Sequence, residues 1–220
     1  LVGFMSCDGG YVDSRYPFMM VSGTEEHIIN SFRNRYCENK SIYNVGKKSS
    51  KRVRAVNDVF ELRFPSKMNE SFNKFGVFTY KKNRRVVGIP KKFMLNYIAG
   101  CIDADGFITV THRKDCRTPR DAVRGGGSGK LFLSDLQDIL CKVDVPTTLR
   151  QHGNDCWRLQ CQNTEKNKIF LHKIKGFLRN IRKNHITNDY LSKYYVPQES
   201  DELLENLEID NQQPSLKDKE

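Results

Sequence analysis

Two carboxylates, Asp103 and Asp105, stand one residue apart and directly before Gly106 in the stretch YIAGCIDADGFI, residues 97–108. They close a run of apolar and small residues, at the point where a helix is expected to end. A helix C-terminus already carries partial negative charge, so acids placed there are unfavourable without a compensating cation. A second stretch, LVGFMSCDGGYV at residues 1–12, superposes on the first with an offset of 97: Gly3 falls on Gly100, Cys7 on Ala104, Asp8 on Asp105 and Gly9 on Gly106. Two acids brought together by such a duplication suit a divalent cation. Magnesium is the natural candidate, because it takes one or two carboxylates, a backbone carbonyl and water, and leaves positions for phosphate oxygens. Metal held there would activate a water and stabilise the departing oxygen in phosphodiester hydrolysis.

The elements that must position these acids can be read from spacing. Gly3 and Cys7, like Gly100 and Ala104, are four residues apart, which gives each motif helix a small-residue stripe on one face. Small residues let two helix backbones approach closely, so face-to-face packing of the copies would set Asp8 and Asp105 side by side. The segments C-terminal to the two copies match in kind. After the first come a strand in YPFMMVS and a helix opened by a capping pattern from Ser22 to Glu25, with Ile28, Ile29, Phe32 and Tyr36 on its buried side. A basic hairpin in SIYNVGKKSSKRVRAV, the alternating VFELRF and a helix capped by Ser66 complete that half. After the second copy come FITVTHR, a glycine-rich turn, the helical LFLSDLQDILCKV, a hairpin in TTLRQHGNDCWRLQCQ turning at Gly153 to Asp155, and a helix capped by Thr164. The expected fold is α+β, with two pseudo-symmetric αββαββα repeats over residues 1–92 and 93–196. Residues 197–220 are expected to form an acidic tail without fixed structure.

The 220 residues carry a formal net charge of +11, yet residues 197–220 hold eight acids against Lys217 and Lys219, so residues 1–196 carry +17. An excess of that size points to a polyanionic partner, since Lys and Arg contacts to phosphates release counterions. A membrane surface is the competing partner and is disfavoured: no segment approaches the roughly 18 apolar residues of a span, and no basic amphipathic helix is evident. Seven cysteines, an odd number at irregular spacing, argue against a disulfide framework and lack the pairing a zinc site needs. They read as reduced thiols of an intracellular protein, in a bacterial or phage-infected cytoplasm or in an organelle.

IAGCIDADG differs at two of nine positions, Ile98 and Cys101, from the motif that names the LAGLIDADG homing endonucleases, and LVGFMSCDG reads as a degenerate first copy. Over residues 1–196 the chain thus resembles the two-motif, single-chain form of that family. The resemblance implies a saddle of two antiparallel sheets on double-stranded DNA. It implies a metal-dependent, site-specific endonuclease that acts as a monomer and makes a staggered break. Asp8 and Asp105 would be the catalytic metal ligands, with the backbone carbonyls of Cys7 and Ala104 beside the metal. The motif's earlier aspartate is matched by Asp103 in the second copy and replaced by Ser6 in the first, which allows the two halves to differ in rate. A basic residue near each site is also implied. Among Lys81, Lys82, Arg84 and Arg85 in YKKNRRVVGIP the choice falls on Lys82, and in GFLRNIRKNH it falls on Lys183.

For reading DNA, the resemblance implies sheet residues in successive major grooves. Lys47, Lys48, Lys51, Arg52 and Arg54 would serve in the first half, and Arg113, Arg117, Arg120, Arg124, Arg150, Gln151, His152, Arg158, Gln160 and Gln162 in the second. Alternate strand residues share a face, so some reach base edges while others hold phosphates. The clustering, rather than any one side chain, carries this reading.

Several other features are set aside. GGGSGK at residues 125–130 is not a phosphate loop, because that pattern needs Gly where Arg124 stands and Ser or Thr where Leu131 stands. The five histidines share no metal-type spacing, and Trp157 is read as core. The rival function is a group I intron RNA maturase on the same fold, with intron RNA as partner. Retention of Asp8 and Asp105 argues against loss of cleavage. A transcription factor on this scaffold would carry a helix-turn-helix module, and none is evident. A chain starting at Leu1 leaves the first motif helix without its opening turn, which predicts that the natural product extends upstream.

Overall fold

The computed structural model describes residues 1–12, 15, 18–45, 49–50, 53–54, 58–77, 83–111, 120–125, 129–142, 145–151, 157–161 and 164–195. Within these the chain runs α1 (Val2–Asp8), β1 (Gly9–Val12), β2 (Phe18–Gly23), α2 (Glu26–Tyr36), β3 (Ile42–Asn44), β4 (Ser49–Ser50), β5 (Val53–Arg54), β6 (Phe60–Arg63) and α3 (Asn69–Lys74). It continues with α4 (Met94–Ala104), β7 (Phe107–Thr111), β8 (Arg120–Gly125), α5 (Lys130–Lys142), β9 (Thr147–Gln151), β10 (Trp157–Cys161), α6 (Thr164–Ile174) and α7 (Ile181–Tyr194). The acidic residues 197–220 and the turn at Gly153 to Asp155 lie outside the described residues.

Period-two patterning builds two four-stranded antiparallel sheets, ordered β1-β2-β6-β3 and β7-β8-β10-β9. Each sheet takes the same path, its first, second, fourth and third strands in turn. In the first, Met19, Val21 and Leu62 are fully buried and Val21 pairs across to Leu62, while Phe18, Met20 and Arg63 take the opposite face. In the second, Leu159 pairs with Leu149 toward the helices, and Arg158 pairs with Arg150 on the outer face. Helices cover the apolar face of each sheet: Ile28, Ile29 and Phe32 of α2 in the first half, Phe132, Leu133 and Leu136 of α5 in the second. Side chains of this kind contribute about 2 kcal/mol each on full burial. The two cores meet along α1 and α4. Cys7 of α1 packs into the second core, and Ala104 of α4 touches both.

Local expectations differ from the structure at three points. β2 pairs with β6 as far as Gly23 opposite Phe60, which holds Ser22 extended, so α2 opens at Glu26 behind Glu25 and no side chain caps it. Tyr36, at the end of that helix, is 39% exposed rather than buried. Ser66 starts a single 3-10 turn, Ser66–Met68, ahead of α3. The basic segment does not pair as one hairpin either: its β3 joins β6 at the edge of the first sheet, while β4 and β5 form a separate two-stranded ribbon. No helix of the described residues is long and apolar enough to cross a membrane.

Candidate active site

Backbone contact between α1 and α4 places the two acids. A Cβ added at Gly3 would lie 2.0 Å from the Tyr97 carbonyl oxygen, and one at Gly100 would lie 2.9 Å from the Phe4 nitrogen. Neither position has room for a side chain, so the helices touch through their main chains. The Cys101 thiol donates across the contact to the Gly3 carbonyl at 3.4 Å. Asp8 is the last residue of α1 and Asp105 the C-cap of α4, each succeeded by a glycine from which the chain turns into a strand. That turn is tight: a Cβ at Gly9 would sit 2.3 Å from the Met5 carbonyl oxygen, and one at Gly106 would sit 2.5 Å from the Ile102 Cα.

Each helix end receives a buried cation. Lys183, on α7 and only 5% exposed, donates from Nζ to the carbonyls of Ile102 at 2.6 Å, Asp103 at 2.7 Å and Ala104 at 3.3 Å. Arg84, in the connection between the halves and 3% exposed, donates from Nη1 to the Ser6 and Met5 carbonyls, and from Nη2 to Val77 at 2.9 Å. Under the offset of 97, Met5 and Ser6 are the counterparts of Ile102 and Asp103. A cation is favoured there because the last carbonyls of a helix carry its negative pole. Burial pushes both groups below their ordinary pKa. For Lys183 the charges of Asp103, Asp8 and Asp105 oppose that shift, and for Arg84 the charge of Asp105 does. Asp8 and Asp105, from different halves, thus act on one ammonium.

The first motif carboxylate has a separate task. Asp103, 5% exposed, accepts the backbone N–H groups of Arg179 at 2.7 Å and Asn180 at 3.1 Å, ahead of α7. Burial raises its pKa against the pull of those two N–H groups and of Lys183. Asn180 then caps the helix by accepting the Lys183 N–H at 3.1 Å. In the first half, where a loop rather than a helix delivers the cation, Ser6 donates to the Val2 carbonyl and accepts from the Tyr97 hydroxyl at 3.0 Å.

One Asp105 carboxylate oxygen is buried without a hydrogen-bond partner. A buried carboxylate oxygen left so is costly unless a cation meets it. The donors at the helix ends, two carboxylates and main-chain carbonyls, are all hard oxygen, the set that magnesium and calcium take. Among the described residues no group of three or more His, Cys, Asp or Glu side chains could hold a metal. Water and phosphate oxygens would therefore have to complete any coordination shell here.

On the outer face of the second sheet stand exposed Arg150, half-buried Arg158 and Gln160, with the register setting Arg124 opposite Gln160 and Arg120 opposite Thr111. Arg54 pairs with Ser49 in the separate ribbon. Trp157 faces inward against the core, with the Lys130 ammonium 4.7 Å from its ring centroid. Lys47, Lys48, Lys51, Arg52, Lys82, Arg113, Arg117, His152 and Gln162 lie outside the described residues. Two features escaped the sequence reading: the place of Arg84, which stood there only as an alternative to Lys82, and the cap that Asp103 makes on α7, itself an unexpected helix. Asn180 just ahead of a helical run was the signal available for that cap.

Residues 92–175 match the family model described as a LAGLIDADG-like domain. Among solved structures, meganuclease I-SmaMI bound to uncleaveable DNA with a TTCT central four is similar at a TM-score of 0.59 and 12% identity, covering 94% of this chain and 95% of that one. The same meganuclease, bound to uncleaved DNA in the presence of calcium ions, is similar at 0.53 and 12% identity, covering 96% and 97%. LAGLIDADG homing endonuclease I-GzeII in complex with its DNA target is similar at 0.56 and 10% identity, covering 98% of each chain. No curated protein matches the chain. The chain thus has the fold of the solved LAGLIDADG homing endonucleases, and its residues 92–175 are similar to a LAGLIDADG-like domain.

Proposed function

We propose that the chain is a site-specific endonuclease of double-stranded DNA that needs a divalent cation, magnesium in the cell, and makes a staggered break. The observation that carries this reading is the placement of Asp8 and Asp105 at the ends of two helices in main-chain contact, with one Asp105 oxygen buried without a partner. Asp8 and Asp105 would hold the cation, with the carbonyls of Cys7 and Ala104 beside it. When bound, the cation supplies an activated water and a stabilised leaving oxygen. Lys183 and Arg84 neutralise the carbonyl-rich ends of the two helices and hold those ends in place. The outer faces of the two sheets lie on the duplex, where their basic residues hold phosphates and read base edges. Both acids come from one chain, so a monomer suffices, built of halves 1–92 and 93–196. Two acids retained at one site favour cleavage over RNA maturation. Sequencing the products of a randomised duplex library incubated with the protein and magnesium tests the proposal. A single enriched site with staggered ends supports it, and uncut DNA with magnesium, manganese and calcium alike refutes it.

A further inference from the structure

We infer that Arg63 is a preorganised reader of guanine on the first sheet, an inference that rests on the proposed DNA contact. β6 lies between β2 and β3, and each neighbour sends one ring to the Arg63 guanidinium. The Phe18 centroid is 4.8 Å and the Tyr43 centroid 5.2 Å from the Arg63 Cζ. All three residues take the face opposite the buried Met19, Val21 and Leu62, and Tyr43 is 49% exposed. Tyr43 is exposed and Phe18 half-buried on this face, so the pair adds little to the core, which is closed on the other side of the sheet. Among the described residues Arg63 makes these two ring contacts and no ion pair.

Stacking uses the flat faces of a guanidinium and leaves its edge, with a fork of N–H donors, free for acceptors in the same plane. A guanine presents N7 and O6 in the major groove as just such a pair, the commonest specific arginine contact to DNA. An unrestrained arginine loses about 2 kcal/mol of rotamer freedom on ordering. Here the two rings have restricted it before DNA arrives, which favours a directional contact over a loose phosphate one. Lysine could replace arginine at a phosphate but not in this fork.

The test is selection of bound duplexes from a randomised library with calcium, for the wild type, Arg63→Ala, Arg63→Lys and the double variant Phe18→Ala/Tyr43→Ala. The wild type should enrich a site with a G·C pair at one position of the half under the first sheet. Both Arg63 variants should lose that preference by roughly 5- to 150-fold and keep the rest of the site, which also reports their folding. The double variant should lose part of it. Uniform weakening across all positions, or full rescue by Arg63→Lys, would make Arg63 a phosphate anchor and overturn the inference. An enriched site that the Arg63 variants leave unchanged would overturn it alone, whereas a wild type that enriches no site overturns the DNA reading with it.

Discussion

Asp103 and Lys183 hold each other's helices in place. The Asp103 carboxylate, one residue before the end of α4, accepts the N–H groups of Arg179 and Asn180 ahead of α7 at 2.7 and 3.1 Å. In return Lys183, in the first turn of α7, donates from Nζ to the Asp103 carbonyl at 2.7 Å. The acid lies at a helix N-terminus and the cation at a helix C-terminus, so both agree with the helix dipoles. The pair fixes α7 against the tip of α4, next to Asp105.

Replacing Asp103 should therefore cost more than replacing its counterpart Ser6. Asp103→Ala strands two backbone N–H groups and the charge of Lys183, an expected loss of about 3 kcal/mol. Ser6→Ala removes neutral hydrogen bonds to Val2 and Tyr97 and should cost about 1 kcal/mol. Urea unfolding of the two variants measures the difference, and equal costs would contradict the lock.

The buried ammonium gives stability a pH dependence of known sign. Burial holds Lys183 below its ordinary pKa of 10.5, so between its folded and unfolded values the unfolded chain binds the extra proton. Stability contributed by this group is then lowest below the folded pKa and recovers as pH rises toward the unfolded value. Relative to Lys183→Met, the wild type should gain stability from neutral pH to about pH 10. Urea midpoints of both proteins across that range check it, and a flat or falling difference would contradict it.

Arg84 should prove structural as well as electrostatic. Arg84→Ala leaves the carbonyls of Met5, Ser6 and Val77 without their buried donor, an expected loss of about 3 kcal/mol, with Arg84→Lys recovering part of it. Thermal unfolding of the two variants measures this, and an alanine variant as stable as the wild type would exclude the role.

Helix contact through main chains makes Gly3 the least replaceable residue of the interface. Gly3→Ala puts a methyl 2.0 Å from a carbonyl oxygen, whereas Gly100→Ala meets its nearest atom at 2.9 Å. The first should cost about 3 kcal/mol and the second about 1 kcal/mol. Chemical denaturation ranks them, and the reverse order would show that the helices pack otherwise.

Local patterning made much of this architecture legible. The alternation in VFELRF and in TTLRQ to WRLQC gives the strands their two faces, and the paired motifs at residues 1–12 and 97–108 locate the helices that meet. The acids at the helix ends were visible for the same reason. The hidden part depends on long-range pairing. Ser22 looks like a cap until β6 claims it through Glu61. The hydrogen bonds from the Lys183 ammonium span 79 to 81 residues and those to the Asp103 carboxylate span 76 and 77, so no spacing along the chain announces them. Nothing in YKKNRRVVGIP singles out Arg84 among its basic residues, and it is the loop path toward Met5 and Ser6 that brings it to the helix end.

The most direct measurement is strand-resolved cleavage of the selected duplex, labelled on each strand in turn, by the wild type, Asp8→Asn and Asp105→Asn with magnesium. If the two acids share the metal site, each variant loses cutting of at least one strand by more than about a hundredfold, while duplex binding stays within a few-fold of the wild type. Double-strand cleavage undiminished in either variant would contradict that shared site.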